Sequence, residues 1–161
     1  MRVRFFESEQ WFPIKQEELF AFLSDAANLE AITPAFLNFE IATPRPIAMG
    51  EGTLIDYKLR VRGIPVRWRS KITAWQPPSR FVDEQVRGPY RLWIHEHILE
   101  PRDCGTVMRD HVHYALWFDF VTARLVRRDI EAIFKYRRNM LRARLHGNEA
   151  ETRDQRAQDS D

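Results

Sequence analysis

The 161-residue sequence predicts an α+β fold, a strongly curved antiparallel β-sheet of about seven strands around one long C-terminal helix. Three observations lead there. Six strand-like runs separated by short turn signals fill residues 36–116, and connections that short join antiparallel neighbours. Two short helical patterns lie between a first strand and those six. One long amphipathic pattern closes the chain, with an apolar stripe suited to covering part of the sheet's concave face.

The elements follow in order. Residues 2–12 alternate around Val3, Phe5 and Trp11 and form the first strand. Pro13 opens a helix in which Leu19, Phe20, Phe22 and Leu23 recur at helical spacing. Asp25 caps a second helix, 26–32, which Thr33–Pro34 ends. Strands are expected at 36–43, 53–62, 65–75, 80–87, 91–100 and 105–116, divided by Pro44–Gly52, Gly63, Pro77–Pro78, Gly88–Pro89 and Pro101–Gly105. The last helix runs from about Val121 to His146, its stripe made by Val126, Ile130, Ile133, Phe134, Met140 and Leu141. One domain is expected over 1–147. Residues 148–161, with five acidic side chains, two Arg and no large apolar residue, read as a disordered polar tail.

Bulk properties exclude several classes. A hydrophobic fraction of 44% and an aromatic fraction of 12% describe a globular chain whose rings suffice to line a cavity as well as fill a core. The net charge of +2 gives no global argument for nucleic acid or membrane. A single cysteine, Cys104, precludes an intramolecular disulfide and suits a reducing compartment. No segment reaches the ~20 apolar residues of a membrane span, so a cytoplasmic location without stable membrane insertion is expected. The final helix carries eight basic residues against two acidic ones, a local charge of +6, read mainly as a solvated face. No nucleotide or phosphate motif is present, so neither a cofactor nor a nucleic-acid partner is expected. The oligomeric state stays open.

The stretch from Phe81 to Tyr114 is unusual for a sheet core. Asp83, Gln85, Trp93, His95, His97, Asp110 and Tyr114 fall at two-residue spacing, which places them on one face of successive strands. A turn centred between Asp103 and Cys104 sets His97 opposite Asp110, His95 opposite Val112 and Trp93 opposite Tyr114. A bulge at Gly105 would instead set His97 against His111 and His95 against His113, a patch of four histidines. The first register is preferred, because the second buries Arg109 while exposing Val112 and Tyr114.

The element order, with GIPVRWRSKITAWQPPSRFVDEQVRGPYRLWIHEH and GTVMRDHVHY, resembles the START-like, polyketide-cyclase-like ligand-binding superfamily (SRPBCC), which has the helix-grip fold. More narrowly it resembles a bacterial subgroup with a proline–arginine–tryptophan strand, an FVDEQ-GPY strand pair and a W-x-H-x-H strand. The likeness covers residues 3–146 and implies a cavity between sheet and helix for a small hydrophobic or aromatic molecule. Cyclase or dehydrase chemistry also occurs within it.

On that reading Tyr57, Trp68, Trp93, Tyr114 and Phe134 would offer apolar contact, and Asp83, Gln85, His95, His97 and Asp110 would set polarity and orientation. Trp68 reads equally well as core. His95, His97 and Asp110 are also the candidates for acid/base catalysis, since a carboxylate partner fixes an imidazole tautomer and raises its basicity. The bland alternative is a buried polar network that satisfies itself. His-x-His alone is a weak metal signature, and no native metal is expected.

Overall fold

Four residues with positive φ shape the sheet. Arg62 and Gly63 (51° and 81°) and Asp103 and Cys104 (50° and 58°) occupy the centres of two hairpin turns. Positive φ at both central residues marks the type I′ turn, whose twist matches that of the strands it joins. The turns pair Val61 with Ile64 and Arg102 with Gly105, with no bulge at either end.

A computed structural model describes residues 1–146; the tail expected over 148–161 lies outside the described residues. The order is β1 (Arg4–Phe12), α1 (Gln16–Ser24), α2 (Ala26–Ala31), a 3₁₀ turn (Ala35–Leu37), β2 (Glu40–Ile41), β3 (Leu54–Val61), β4 (Ile64–Gln76), β5 (Arg80–Arg87), β6 (Leu92–Arg102), β7 (Gly105–Ala115) and α3 (Asp119–His146). All seven strands form one antiparallel sheet in the order β1-β7-β6-β5-β4-β3-β2. This is the expected curved sheet with a long C-terminal helix.

α3 is held over the concave face by side chains at helical spacing. Ile130, Phe134, Leu141 and Leu145 are buried. Ile130 and Phe134 pack on Val112 and Tyr114, while Leu141 and Leu145 join Phe12, Leu19, Phe20, Leu99 and Met108. Burial of each such side chain stabilises the fold by roughly 1.5–3 kcal/mol. A third cluster, Ile41, Ile55 and Tyr57 with Ala26, closes the far end of the sheet. The core is thus divided, and space remains between its parts.

Two expectations need correction, at β2 and at the start of α3, and β1 shows which of its faces turns inward. The strand expected at 36–43 shrinks to Glu40–Ile41, because Ala35–Leu37 coils into a 3₁₀ turn. Asn38 ends that turn in the left-handed region (φ 42°), a conformation in which an extended strand cannot continue. In β1 the inward residues are Phe6, Ser8, Gln10 and Phe12, so the alternating Val3, Phe5 and Trp11 lie on the outer face. α3 starts two residues early, at Asp119, whose carboxylate binds Arg4 at 2.6 and 2.9 Å and favours the positive end of the helix dipole.

Gly105 follows from close packing. A Cβ there would lie 2.2 Å from the Phe12 carbonyl oxygen and 2.7 Å from the Trp11 ring.

Candidate functional site

β5, β6 and β7 lie side by side, so their inward residues meet. The ladders pair Phe81 with His97 and Asp83 with His95, then His97 with Asp110, His95 with Val112 and Trp93 with Tyr114. This is the preferred register, and Arg109 emerges on the outer face between Glu9 and Glu100. The imidazoles of His95 and His97 lie with centroids 3.9 Å apart, tilted by 39°, and His97 lies flat on Phe81 at 4.0 Å.

Two carboxylates bracket these rings. Asp110 Oδ1 accepts from His95 Nε2 at 2.9 Å and lies 3.0 Å from His97 Nδ1. The second contact is poorly aligned and leaves His97 Nδ1 without a proper hydrogen-bond partner. On the opposite side Asp83 Oδ2 lies 3.6 Å from His95 Nδ1 and 3.3 Å from His97 Nε2. Asp110 is closed off from solvent, whereas Asp83 retains access to the cavity.

The electrostatics separate the two histidines. Burial alone would raise Asp110, but the Arg137 charge and the hydrogen bonds from both imidazoles outweigh it and hold the carboxyl well below its usual range. Asp83 is lowered in the same way, against burial, by the His97 hydrogen bond and the charges of His95, His97 and Arg137. Burial and the neighbouring His97 push His95 down. For His97 burial is overcome by hydrogen bonding to Asp110 and Asp83, and its pKa is raised. A proton shared by the pair therefore resides on His97.

Above this floor is a cavity of about 560 Å³ between the sheet and α3. Its walls include Tyr57, Trp68, Tyr90, Trp93, Ile130 and Phe134, and its floor includes Asp83, His95 and His97. Trp68 meets Trp93 edge-on at 5.5 Å and donates from Nε1 to Ser70 Oγ, so its ring is fixed. At the rim Arg62, from the β3–β4 turn, forms a bidentate pair with Asp129 of α3 at 3.0 and 2.7 Å.

The cavity lining gathers seven of the ten residues expected in the site: Tyr57, Trp68, Asp83, Trp93, His95, His97 and Phe134. Gln85, Asp110 and Tyr114 stand outside it. Gln85 spends both ends of its amide on the Tyr90 backbone, bracing the loop between β5 and β6. Asp110 lies beneath the histidines, and Tyr114 packs under Ile130 and Phe134.

Arg137 and Asp129 were not expected there. Arg137 lines the cavity, and its Nε is buried without a hydrogen-bond partner. Its signal lies in its spacing, three residues after Phe134 and four before Leu141, which places it on the buried stripe of α3.

No family model and no curated protein sequence matches the chain. Solved structures do. A Thermus thermophilus protein superposes with a TM-score of 0.67 at 18% identity, over 87% of this chain and 98% of its own. A Mycobacterium smegmatis protein gives 0.65 at 14%, over 92% and 98%. A major latex-like protein of Panax ginseng gives 0.65 at 9%, over 89% and 97%. The fold is the helix-grip fold. At these identities the likeness is one of architecture, and the chemistry of this helix-grip domain rests on its own residues. Among the described residues no helix is long and apolar enough to cross a membrane.

Proposed function

We propose that this helix-grip domain binds a small hydrophobic or aromatic molecule between its curved sheet and α3. One observation carries the reading: a cavity of about 560 Å³ with largely aromatic and aliphatic walls and a polar floor. Small-molecule sites commonly occupy ~300–1,000 Å³ and combine apolar walls with a few polar groups that orient the ligand. Trp68, Trp93, Tyr57 and Phe134 supply the flat apolar contact; His95, His97 and Asp83 receive the polar end of the ligand. The fold and the quoted strand motifs support placing the chain in the START-like superfamily and its bacterial subgroup, with 1–147 as the ligand-binding unit. The single exposed thiol, Cys104, fits a cytoplasmic location.

Native mass spectrometry of the full chain, with organic extraction of what co-purifies, tests the reading. A bound apolar molecule, or saturable quenching of tryptophan fluorescence by a panel of aromatic and aliphatic compounds, is the expected result. Absence of both overturns it.

A second reading is an acid/base enzyme of the cyclase or dehydrase type. It is favoured by His95, whose Nε2 is tied to Asp110 while its ring lines the cavity. That arrangement fixes the tautomer and directs Nδ1 toward Asp83 and the cavity side, as a general base requires.

A further inference from the structure

Three donor atoms from different side chains converge at the cavity floor. Asp83 Oδ2 lies 3.3 Å from His97 Nε2 and 3.6 Å from His95 Nδ1, and all three ligand atoms fall within 4.8 Å of one another. We propose that Asp83, His95 and His97 form a binding site for one first-row divalent transition-metal ion, open to the cavity.

The donor set selects the class. Two imidazole nitrogens and one carboxylate oxygen suit Zn²⁺, Fe²⁺ or Co²⁺, and are too few and too nitrogen-rich for Ca²⁺ or Mg²⁺. The spacing agrees. Bonds of about 2.0–2.2 Å place neighbouring donors at a tetrahedral angle roughly 3.3–3.5 Å apart.

Asp110 completes the arrangement from behind. Its Oδ1 accepts from His95 Nε2 at 2.9 Å and lies 3.0 Å from His97 Nδ1. With His95 Nε2 turned to Asp110, His95 Nδ1 faces Asp83 at 3.6 Å, and His97 Nε2 meets Asp83 Oδ2 in a hydrogen-bonding contact at 3.3 Å whose proton a metal ion would displace. A carboxylate behind each ligating imidazole is the usual outer support of a metal site.

The ligands are also rigid. They sit on paired strands, with His97 clamped against Phe81 and His95 against Phe134. All three line the cavity, so coordination positions not taken by the protein open onto it. A bound ion would offer a Lewis-acidic contact for an oxygen or nitrogen of the occupant. The inference rests on donor geometry alone and stands whether or not the apolar ligand reading holds.

The test uses full-length chain prepared without a histidine tag, stripped with chelator and titrated with CoCl₂. One Co²⁺ per chain, with visible ligand-field absorption and displacement by Zn²⁺, is the expected result. Asp83→Asn, which keeps the side-chain volume, should weaken binding at least tenfold. His111→Gln and His113→Gln, on the outer face, should leave it unchanged. Because Asp83→Asn can also perturb folding, imidazole ¹⁵N resonances of the wild type provide a second readout. Zn²⁺ should shift His95 Nδ1 and His97 Nε2 as ligand nitrogens and leave the Asp110-facing nitrogens protonated. No cobalt binding at millimolar concentration, or binding lost only in the outer-face variants, would overturn the site in favour of a proton shared by the same three atoms. Dye binding by the metal-stripped chain, measured in parallel, separates failure of the metal site from failure of the apolar cavity.

Discussion

Asp110 stands opposite His97 across the β6–β7 ladder, yet its well-formed hydrogen bond goes diagonally to His95, at 2.9 Å. One carboxylate thereby contacts two adjacent imidazoles, and none of the three groups has bulk water to fall back on. Asp110→Ala should destabilise the chain by about 3–5 kcal/mol, the scale for stripping one partner from a buried polar network. Asp110→Asn, whose carbonyl still accepts from His95, should lose less. Urea unfolding followed by tryptophan fluorescence measures both, and a loss below ~1 kcal/mol for the alanine variant would contradict the network.

The acid limb of stability should belong to the carboxylates. Asp110 and Asp83 are depressed in the folded chain, so their contribution is complete above the unfolded carboxyl value of roughly 3.9 and is lost as pH falls through the lower folded values. The imidazoles oppose each other. His95 is lowered, and its contribution is lost as pH falls below roughly 6.5; His97 is raised, and its contribution is complete below roughly 6.5 and lost as pH rises through its folded value. In metal-free wild type these two limbs oppose each other near neutrality. His95→Gln removes one of them and should make the chain more stable at pH 6 than at pH 8, seen as a higher Tm. A pH-independent Tm for this variant would contradict the assignment of the shared proton to His97.

The face carrying Asp83, His95, His97 and Asp110 was legible because strand side chains repeat every two residues, and the cost of burying Arg109 chose the register. Depth was not legible. Alternation places Gln85 and Tyr114 on the same face, but neither lines the cavity, since loop bracing and helix packing depend on partners distant in sequence. Arg137 escaped notice because charge was counted along α3 rather than by position on its stripe. The shortness of β2 has a local reason: residues 36–43 have β-like composition, but the 3₁₀ turn closed by Asn38 interrupts the alternation.

Gly105 gives a packing prediction. Its added Cβ would meet the Phe12 backbone, which has no rotamer by which to move aside. Gly105→Ala should cost about 1–3 kcal/mol as the β1–β7 edge shifts. Gly50→Ala, where nothing lies within 4 Å of a new Cβ, is the matched control and should stay within about 0.5 kcal/mol. Equal effects at the two positions would contradict the close approach.

Binder and enzyme separate on histidine replacement. His95→Gln and His97→Gln keep polarity but remove the titratable ring. If the imidazoles only shape and orient, a fluorescent apolar probe should keep its affinity within about tenfold, or 1.4 kcal/mol. If one is an acid or base, turnover should fall on the order of a hundredfold with binding little changed. The binder outcome is expected, because aromatic and aliphatic side chains make up most of the cavity lining. A compound altered by wild type and left intact by either variant would reverse that expectation.

The Arg62–Asp129 pair should control exchange more than stability. Its side chains are 50% and 31% exposed, so the pair is worth at most about 1 kcal/mol to the fold. It nevertheless joins the β3–β4 turn to α3, and both residues belong to the lining of the same cavity. A ligand passing between turn and helix must break it, while a ligand already inside gains little from it. Arg62→Ala should therefore raise the association and dissociation rates of an apolar probe together, leaving affinity nearly constant. Because the pair is exposed, high salt should screen it and speed exchange in wild type but not in the variant. Stopped-flow fluorescence at low and high ionic strength decides the matter, and identical rates for both proteins at low salt would show that ligands enter elsewhere.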